Sequence, residues 1–232
     1  MSDLAVIEAI LRNRYRYFAE IRDGVDLGAK LRAMLGASFV FLALYGAVIG
    51  SQHSVLQALS SAVKLPALFL VTLLVCLPTL HFFNVLYGAG LSIRQNFALI
   101  LTAVTVTSVL LLSFAPVVMF FLITTAHYQF FKLLNVAVFA VCGLIGLGFL
   151  SQGVTMIAMA DREGARARSR LVRFWALLYA FVGSQLAWTL RPFFGAPGLP
   201  FEPFRDLGGN FYANVLASLG EVLGFFTVHP GG

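Results

Sequence analysis

Few side chains in the apolar part of this sequence could do chemistry. His81 and His127 are the candidates there for binding a haem or a chlorophyll, and Cys76 and Cys142 each fall within an apolar run. Buried cysteines in such runs usually behave as small hydrophobic residues. His81 is expected in the inner third of the membrane and His127 at its outer boundary, so the two cannot share one haem within a monomer. We therefore predict no bound cofactor and no metal, with a single pigment ligand as an open alternative.

Carboxylates are missing from the most apolar part of the chain. Between Leu65 and Ala160 there is no Asp or Glu, and Arg94 and Lys132 are the only charged residues. Proton- and ion-coupled transporters commonly keep carboxylates within their spans, since a charge in lipid is expensive and is retained for function. The sequence also has no nucleotide-binding loop, zinc-protease helix or serine nucleophile motif. We therefore expect a protein that is not an enzyme.

The hydrophobic content of the chain indicates a membrane protein. Of the 232 residues, 59% are hydrophobic and 11% are charged, whereas about a quarter of the residues of a soluble protein are charged. The large apolar residues are spread along the whole chain and do not form one anchor. The sequence thus predicts an all-α, polytopic transmembrane helix bundle with amphipathic helices near both ends.

Five apolar segments are long enough to cross a bilayer. We expect the spans over about residues 33–50, 64–87, 97–123, 132–159 and 174–190. The connection over 51–63 is expected to be an interfacial or re-entrant turn, and that over 124–131 an interfacial connection. Pro78 should kink the second span. This gives three parts, namely a cytoplasmic amphipathic helix over 1–28, a five-span domain over 29–190 and an external tail over 191–232.

The first 28 residues have the pattern of an amphipathic helix. Apolar residues recur there at helical spacing, and Glu8 precedes Arg12 by four residues, the favourable order for a helical ion pair. We expect this helix either to lie on the lipid surface or to pack against the bundle.

The distribution of Lys and Arg predicts the orientation. With five spans and the N-terminus inside, twelve basic residues fall on the cytoplasmic side and four on the outer side, these four being Lys64, Lys132, Arg191 and Arg205. Such an excess on one side is the positive-inside bias. We therefore predict a cytoplasmic N-terminus, an external C-terminus and insertion in the plasma (inner) membrane.

Small residues within two spans predict close helix packing. Gly46 and Gly50 form a small-xxx-small pair in the first span, and Gly143 and Gly146 lie together in the fourth. Such residues let two helix backbones approach each other in a membrane. The third span carries hydroxyl groups, and these could line a pore or satisfy their own helix backbone; they belong to Thr102, Thr105, Thr107 and Ser108.

The external tail contains the candidate partner-binding residues. Four prolines within twelve residues prevent a helix over 192–203, and the same loop presents Phe193, Phe194, Phe201 and Phe204. A second amphipathic helix follows over about 210–226. We expect one face to be apolar, with Phe211, Val215, Leu219, Val222 and Phe226, and another to be polar, with Asn210, Asn214, Ser218 and Glu221. The tail is expected to dock onto the rim of the bundle or onto a neighbouring subunit.

The second span carries a family resemblance. The stretch KLPALFLVTLLVCLPTLHFFNVLYG, a short Arg-containing turn and three further spans resemble the Yip1-like membrane proteins over about residues 30–190. The matching positions are chiefly Lys64, Pro66, Thr72 and Pro78, and the Asp-Leu-x-Gly-Pro box of the eukaryotic trafficking members is not present. The resemblance implies a non-enzymatic membrane protein that acts through partners.

Together these features predict a membrane scaffold or an accessory subunit of a larger complex. Its expected partners are the lipid bilayer and other membrane proteins in a hetero-oligomeric complex, and not nucleic acid. A channel or transporter without intramembrane carboxylates is one alternative. A cofactor- or pigment-bearing subunit of an electron-transfer complex is the other.

Overall fold

A computed structural model of the chain describes residues 3–86, 90–125, 127–157, 165–195, 200–204 and 209–225. Within these ranges the secondary structure is entirely helical. The helices are α1 (Asp3–Arg12), α2 (Arg14–Arg22), α3 (Leu27–Gly50), α4 (Val55–Leu86), α5 (Ile93–Thr124), α6 (Tyr128–Ile157), α7 (Ala165–Thr189) and α8 (Phe211–Val222).

Five of these helices, α3 to α7, contain segments that are long and apolar enough to cross a membrane. The predicted all-α bundle with five spans is therefore confirmed. Apolar side chains cover the outside of these helices, where contact with water would be unfavourable. The chain is therefore an integral membrane protein.

The five spans pack around a common interior. α3 lies between α4 and α5, α6 packs on the other side of α5, and α7 contacts both α4 and α6. α7 is the most peripheral span. In its most apolar stretch 17% is buried, compared with 50% in that of α3. We call the end where α3 begins the proximal end and the end where α7 finishes the distal end.

The two N-terminal helices pack against the proximal end of the bundle. Val6 and Ile10 of α1 and Tyr17, Phe18 and Ile21 of α2 are buried. Two positions were expected for this amphipathic segment, the lipid surface and the bundle. In the structure it packs against the bundle. The expected ion pair on its exposed side is also present, with Nη1 of Arg12 2.9 Å from Oε1 of Glu8.

α4 begins at Val55, nine residues before the expected start of the second span at Lys64. The prediction that 51–63 is only a turn was wrong, because Gln57 and Ser61 continue the helix face to which Lys64 also belongs. They recur at i, i+4 and i+7 and lie buried on one helix face, while Val55 and its apolar neighbours are exposed on the other. A membrane helix can be polar towards protein and apolar towards lipid.

The other four spans also begin earlier than expected, α3 at Leu27 and α5 at Ile93 among them. α6 starts at Tyr128, within the segment 124–131 that we expected to be an interfacial connection. α7 starts at Ala165, within the basic stretch that precedes the expected span. Both helices include charged or aromatic residues that precede their apolar stretches, because a helix need not end where the hydrocarbon layer does.

Candidate functional site

The ammonium group of Lys64 holds the first part of the tail at the distal end. We call this part the tail loop, and the structure describes its residues 191–195 and 200–204. The Lys64 side chain is 7% exposed. Its Nζ donates hydrogen bonds to the carbonyl oxygens of Pro192, at 3.3 Å, and of Pro203. The same Nζ lies 4.7 Å from the centroid of the Phe204 ring, a cation–π contact. One buried cation therefore holds two separate points of the loop.

Two further buried donors on the same face of α4 hold the loop. Gln57 Nε2 donates to the carbonyl oxygen of Pro192 at 2.8 Å, and Ser61 Oγ donates to that of Phe193 at 2.6 Å. We call Gln57, Ser61 and Lys64 the α4 donor row. A proline-rich segment cannot satisfy its carbonyls in a helix, so donors from outside the segment must do so.

Close packing of α3 against α4 positions the donor row. A Cβ atom at Gly50 would lie 2.6 Å from the carbonyl oxygen of Gln57, and one at Gly46 would meet the backbone of Ser61. The two candidate packing glycines of the first span therefore lie directly behind two members of the donor row. Any larger residue at either position would push the two helices apart.

The loop also contacts the connection between α3 and α4. Gly195 has a positive φ of 62°, a conformation in which glycine is favoured. A Cβ atom on it would lie 2.5 Å from Cγ of His53. The loop thus turns against the His53 ring at a position where a side chain would clash.

The aromatic residues of the loop have different environments. Phe193 and Phe194 are half-buried against the core, and the Phe194 ring makes an edge contact with Phe131 at a centroid distance of 5.8 Å. Phe201 is half-buried, whereas Phe204 is 61% exposed. Of the four candidate partner-binding residues of the loop, Phe204 is the one that presents most of its ring to the surroundings.

α8 lies beside the distal parts of α6 and α7. Its N-cap residue Asn210 accepts a hydrogen bond of 2.8 Å from the amide of Ala213. Lys132 of α6 donates to the side-chain oxygen of Asn214 at 2.8 Å, and the hydroxyls of Ser184 and Tyr212 are 2.8 Å apart. The tail therefore docks onto the rim of its own bundle, one of the two positions expected for it.

The two faces of α8 are not arranged as its pattern indicated. Ser218 is buried and Asn214 faces the bundle, although both belong to the polar side. On the expected apolar face, Phe211 and Val215 are half-buried, but Leu219 and Val222 are exposed, and Phe226 lies outside the described residues. Polar groups thus make part of the contact with protein, and part of the apolar surface faces outward.

The hydroxyl groups of α5 are used in packing. Each donates to a carbonyl of its own helix at 2.7–2.8 Å, and the residues concerned are Thr102, Thr105, Thr107 and Ser108. All four are buried. In addition, Thr105 pairs with Ser38 of α3 at 3.0 Å and Thr102 with Tyr17 of α2 at 3.1 Å. They join α5 to its neighbours.

Glycines in α6 differ in their surroundings. A Cβ atom at Gly146 would collide with Thr107 and the carbonyl of Ala103 on α5, whereas at Gly143 nothing lies within 4 Å. Gly153 was not among the expected packing residues, yet a Cβ there would lie 2.5 Å from the Phe18 ring of α2. This contact could not be predicted, because Phe18 belongs to an amphipathic helix for which a position on the lipid surface was also expected.

The candidate histidines lie at opposite ends of the bundle. His81 Nδ1 is 2.9 Å from Asn96 Nδ2 at the proximal end, whereas His127 is exposed in the distal connection between α5 and α6. Cys76 and Cys142 are buried free thiols. Among the residues that the structure describes, no group of three or more His, Cys, Asp or Glu could hold a metal ion.

Comparison of the chain with protein-family models, with characterised proteins and with solved structures found no match.

Proposed function

We propose that this integral membrane protein is a non-enzymatic scaffold or accessory subunit that binds a partner membrane protein through its tail loop. The loop and its exposed Phe204 would form the contact surface, on the outer side of the plasma membrane. The five spans would anchor that surface in the membrane and hold it at a fixed position relative to the bilayer.

The observation that carries this proposal is the binding of the loop by the α4 donor row. Burying a polar group is unfavourable unless it is hydrogen-bonded, and burying a cation is more so. Lys64, Gln57 and Ser61 are nevertheless buried, and each donates to a loop carbonyl. Such an arrangement holds Pro192, Phe193 and Pro203 of the loop in place, and a rigid surface loses less entropy on binding a partner than a mobile one.

The exposed surface of the loop supports binding to protein. Pro203 and Phe204 are both exposed, and Phe204 lies over a charged ammonium group. Aromatic anchors surrounded by polar groups are typical of the centres of protein interfaces. The hydroxyls of α5 favour a scaffold over a channel, because they bond within the bundle rather than towards a path through it.

Site-specific photo-crosslinking in the native membrane tests this proposal. A photoreactive phenylalanine analogue at position 204 should give one discrete adduct with another protein. The matched control is the same analogue at Leu144, which is also exposed but belongs to the lipid-facing middle of α6. That position should give no protein adduct.

A second measurement connects the adduct to function as a subunit. The partner should copurify stoichiometrically with the wild-type chain in mild detergent and should be lost from Phe204→Ala. If position 204 gives no adduct and the wild-type chain purifies alone, the proposed function is wrong.

A further inference from the structure

We propose that α8 is an interfacial helix whose outward face lies in the lipid of the leaflet at the distal end. The residues of this face are Tyr212, Leu216, Leu219 and Leu223, and we call them the α8 outer row. The ligand is the boundary between headgroups and acyl chains, and zwitterionic lipid is sufficient. This inference does not rest on the proposed function.

The first observation is the depth at which α8 is attached. Its partner on α6, Lys132, comes four residues after the helix start, and its partner on α7, Ser184, comes five residues before the helix end. At a rise of 1.5 Å per residue these contacts lie about 6–8 Å inward from the distal helix ends. α8 therefore lies alongside the spans and not above them, at the depth of an interfacial helix.

The second observation is the composition of the outer row. Its members follow at i, i+4, i+7 and i+11, so they form one stripe along the helix. Leu216 is 66% exposed and Leu223 is 61% exposed. A stripe of leucines in water is unfavourable, whereas the same stripe in the acyl-chain boundary is stable. The tyrosine at one end keeps its hydroxyl bonded to Ser184, so its ring can enter the interface without an unsatisfied polar group.

The third observation is the continuity of this stripe with the lipid-facing surface of the bundle. The first turns of α4, at the same distal end, place the donor row inward and expose Val55, Leu59 and Val63. α8 repeats this arrangement, with Asn214 and Ser218 inward and leucines outward. Two separate elements at one end share the polarity expected beside lipid, which is the reverse of the polarity expected beside water.

The charges indicate which lipid is needed. Helices that bind anionic membranes carry Lys or Arg on their polar face. α8 has the sequence FYANVLASLGEV, in which Glu221 is the single charged residue. Its polar side is bound to the bundle instead, through Asn214. Attachment to protein therefore replaces attraction to anionic headgroups, and neutral lipid can complete the site.

Spin labels in lipid nanodiscs test this placement. In a background with Cys76 and Cys142 replaced by alanine, the full chain is labelled singly at Leu216→Cys or Leu223→Cys. Two reference positions calibrate the scale, and both are exposed: Leu144→Cys in the middle of α6 and Ser51→Cys in the distal connection. The measurement compares the collision rates of each label with oxygen, which is enriched in lipid, and with a water-soluble nickel chelate.

In phosphatidylcholine nanodiscs, labels at 216 and 223 should have an oxygen-to-nickel ratio several-fold above that at 51 and below that at 144. A ratio equal to that at 51 would show that the row faces water and would overturn the inference. Strong spin–spin broadening at 216 would show a second copy on this face and would overturn it as well. Adding phosphatidylglycerol should leave the ratio unchanged, and a ratio that rises only with this lipid would overturn the sufficiency of neutral lipid.

Discussion

Lys132 donates a hydrogen bond of 2.8 Å to the side-chain oxygen of Asn214, and this bond joins the first part of α6 to α8. The ammonium group also lies 5.8 Å from the centroid of the Tyr128 ring. Because Asn214 belongs to the polar side of α8, this contact turns that side towards the bundle and leaves leucines on the outside. One hydrogen bond therefore explains much of the orientation of the helix.

We expect Asn214→Leu to weaken the docking of α8. Lys132 would lose its acceptor, and hydrogen bonds to charged groups contribute about 1.5–3 kcal/mol. Hydrogen exchange of the backbone amides over 211–222 measures the loss as faster exchange. Tyr212→Phe is the control, since it removes a more exposed hydrogen bond to Ser184 and should have a smaller effect. Unchanged exchange in Asn214→Leu would show that this bond does not hold the helix.

Glycine-to-alanine substitutions should separate packed from open positions in the spans. Gly50→Ala places a methyl group 2.6 Å from a backbone oxygen of α4, and overpacking of this kind destabilises by about 1–3 kcal/mol. Gly143→Ala meets nothing within 4 Å and should be neutral or slightly stabilising, because alanine is the better helix former. The free energy of unfolding in mixed detergent micelles measures both. Equal effects of the two substitutions would contradict the close approach of α3 and α4.

Lys64→Met should release the tail loop while leaving the spans inserted. Methionine keeps the apolar stem of the side chain but removes the donor to the carbonyls of Pro192 and Pro203. We expect faster proteolytic cleavage within 191–204 and unchanged membrane extraction. Lys132→Met is the matched control, since it also removes an ammonium group. That group donates its hydrogen bond to α8 and not to the loop. If both variants are cleaved at the same rate in the loop, Lys64 has no specific role in fixing it.

The orientation of the chain is accessible to cysteine labelling. From the excess of basic residues on one side, we expect Glu8→Cys and Arg170→Cys to be protected from an impermeant maleimide in intact cells, and Ser51→Cys to react. All three positions are exposed, so protection cannot come from burial. Permeabilised cells provide the control, in which all three should react. Labelling of position 170 from outside would exclude the five-span orientation.

The five spans could be predicted because a long apolar run has few other stable structures. The start of α4 and the orientation of α8 could not be predicted, since both depend on which side of the helix contacts protein. Gln57 and Ser61 indicated a polar turn by their residue types alone, but together with Lys64 they have the i, i+4, i+7 spacing of one helix face. Likewise, Leu219 and Val222 matched the apolar side of a soluble amphipathic helix. In a membrane protein the apolar side can equally face outward, and sequence alone does not distinguish the two.

Glu20 and Lys30 make the folded state sensitive to pH at the proximal end. Lys30 is 2% exposed, and its Nζ lies 3.0 Å from a carboxylate oxygen of Glu20 and donates to the carbonyl of Val25 at 2.7 Å. The other oxygen of Glu20 accepts from Arg16 at 2.9 Å. The hydrogen bond from Lys30, with a further one from Arg16, holds the pKa of Glu20 below its usual range.

A lowered pKa in the folded state means that the unfolded chain binds the proton more readily. The stabilisation from Glu20 is therefore complete above the unfolded pKa of about 4.3 and is lost as pH falls through the lower folded value. At pH 7 we expect Glu20→Gln to reduce the free energy of unfolding by about 1–3 kcal/mol, because Lys30 keeps its burial but loses its counter-charge. The difference from the wild type should shrink steadily as the pH is lowered below about 4.

Unfolding of both proteins in detergent from pH 7 to pH 3 measures this convergence. Glu8→Gln is the control, since it removes an i, i+4 ion pair with Arg12 in which both side chains are largely exposed, and such pairs contribute little. It should have the stability of the wild type throughout. A deficit in Glu20→Gln that is as large at pH 3 as at pH 7 would mean that the charge of Glu20 does not stabilise the fold, because at the lower pH the wild-type carboxylate has itself begun to bind a proton.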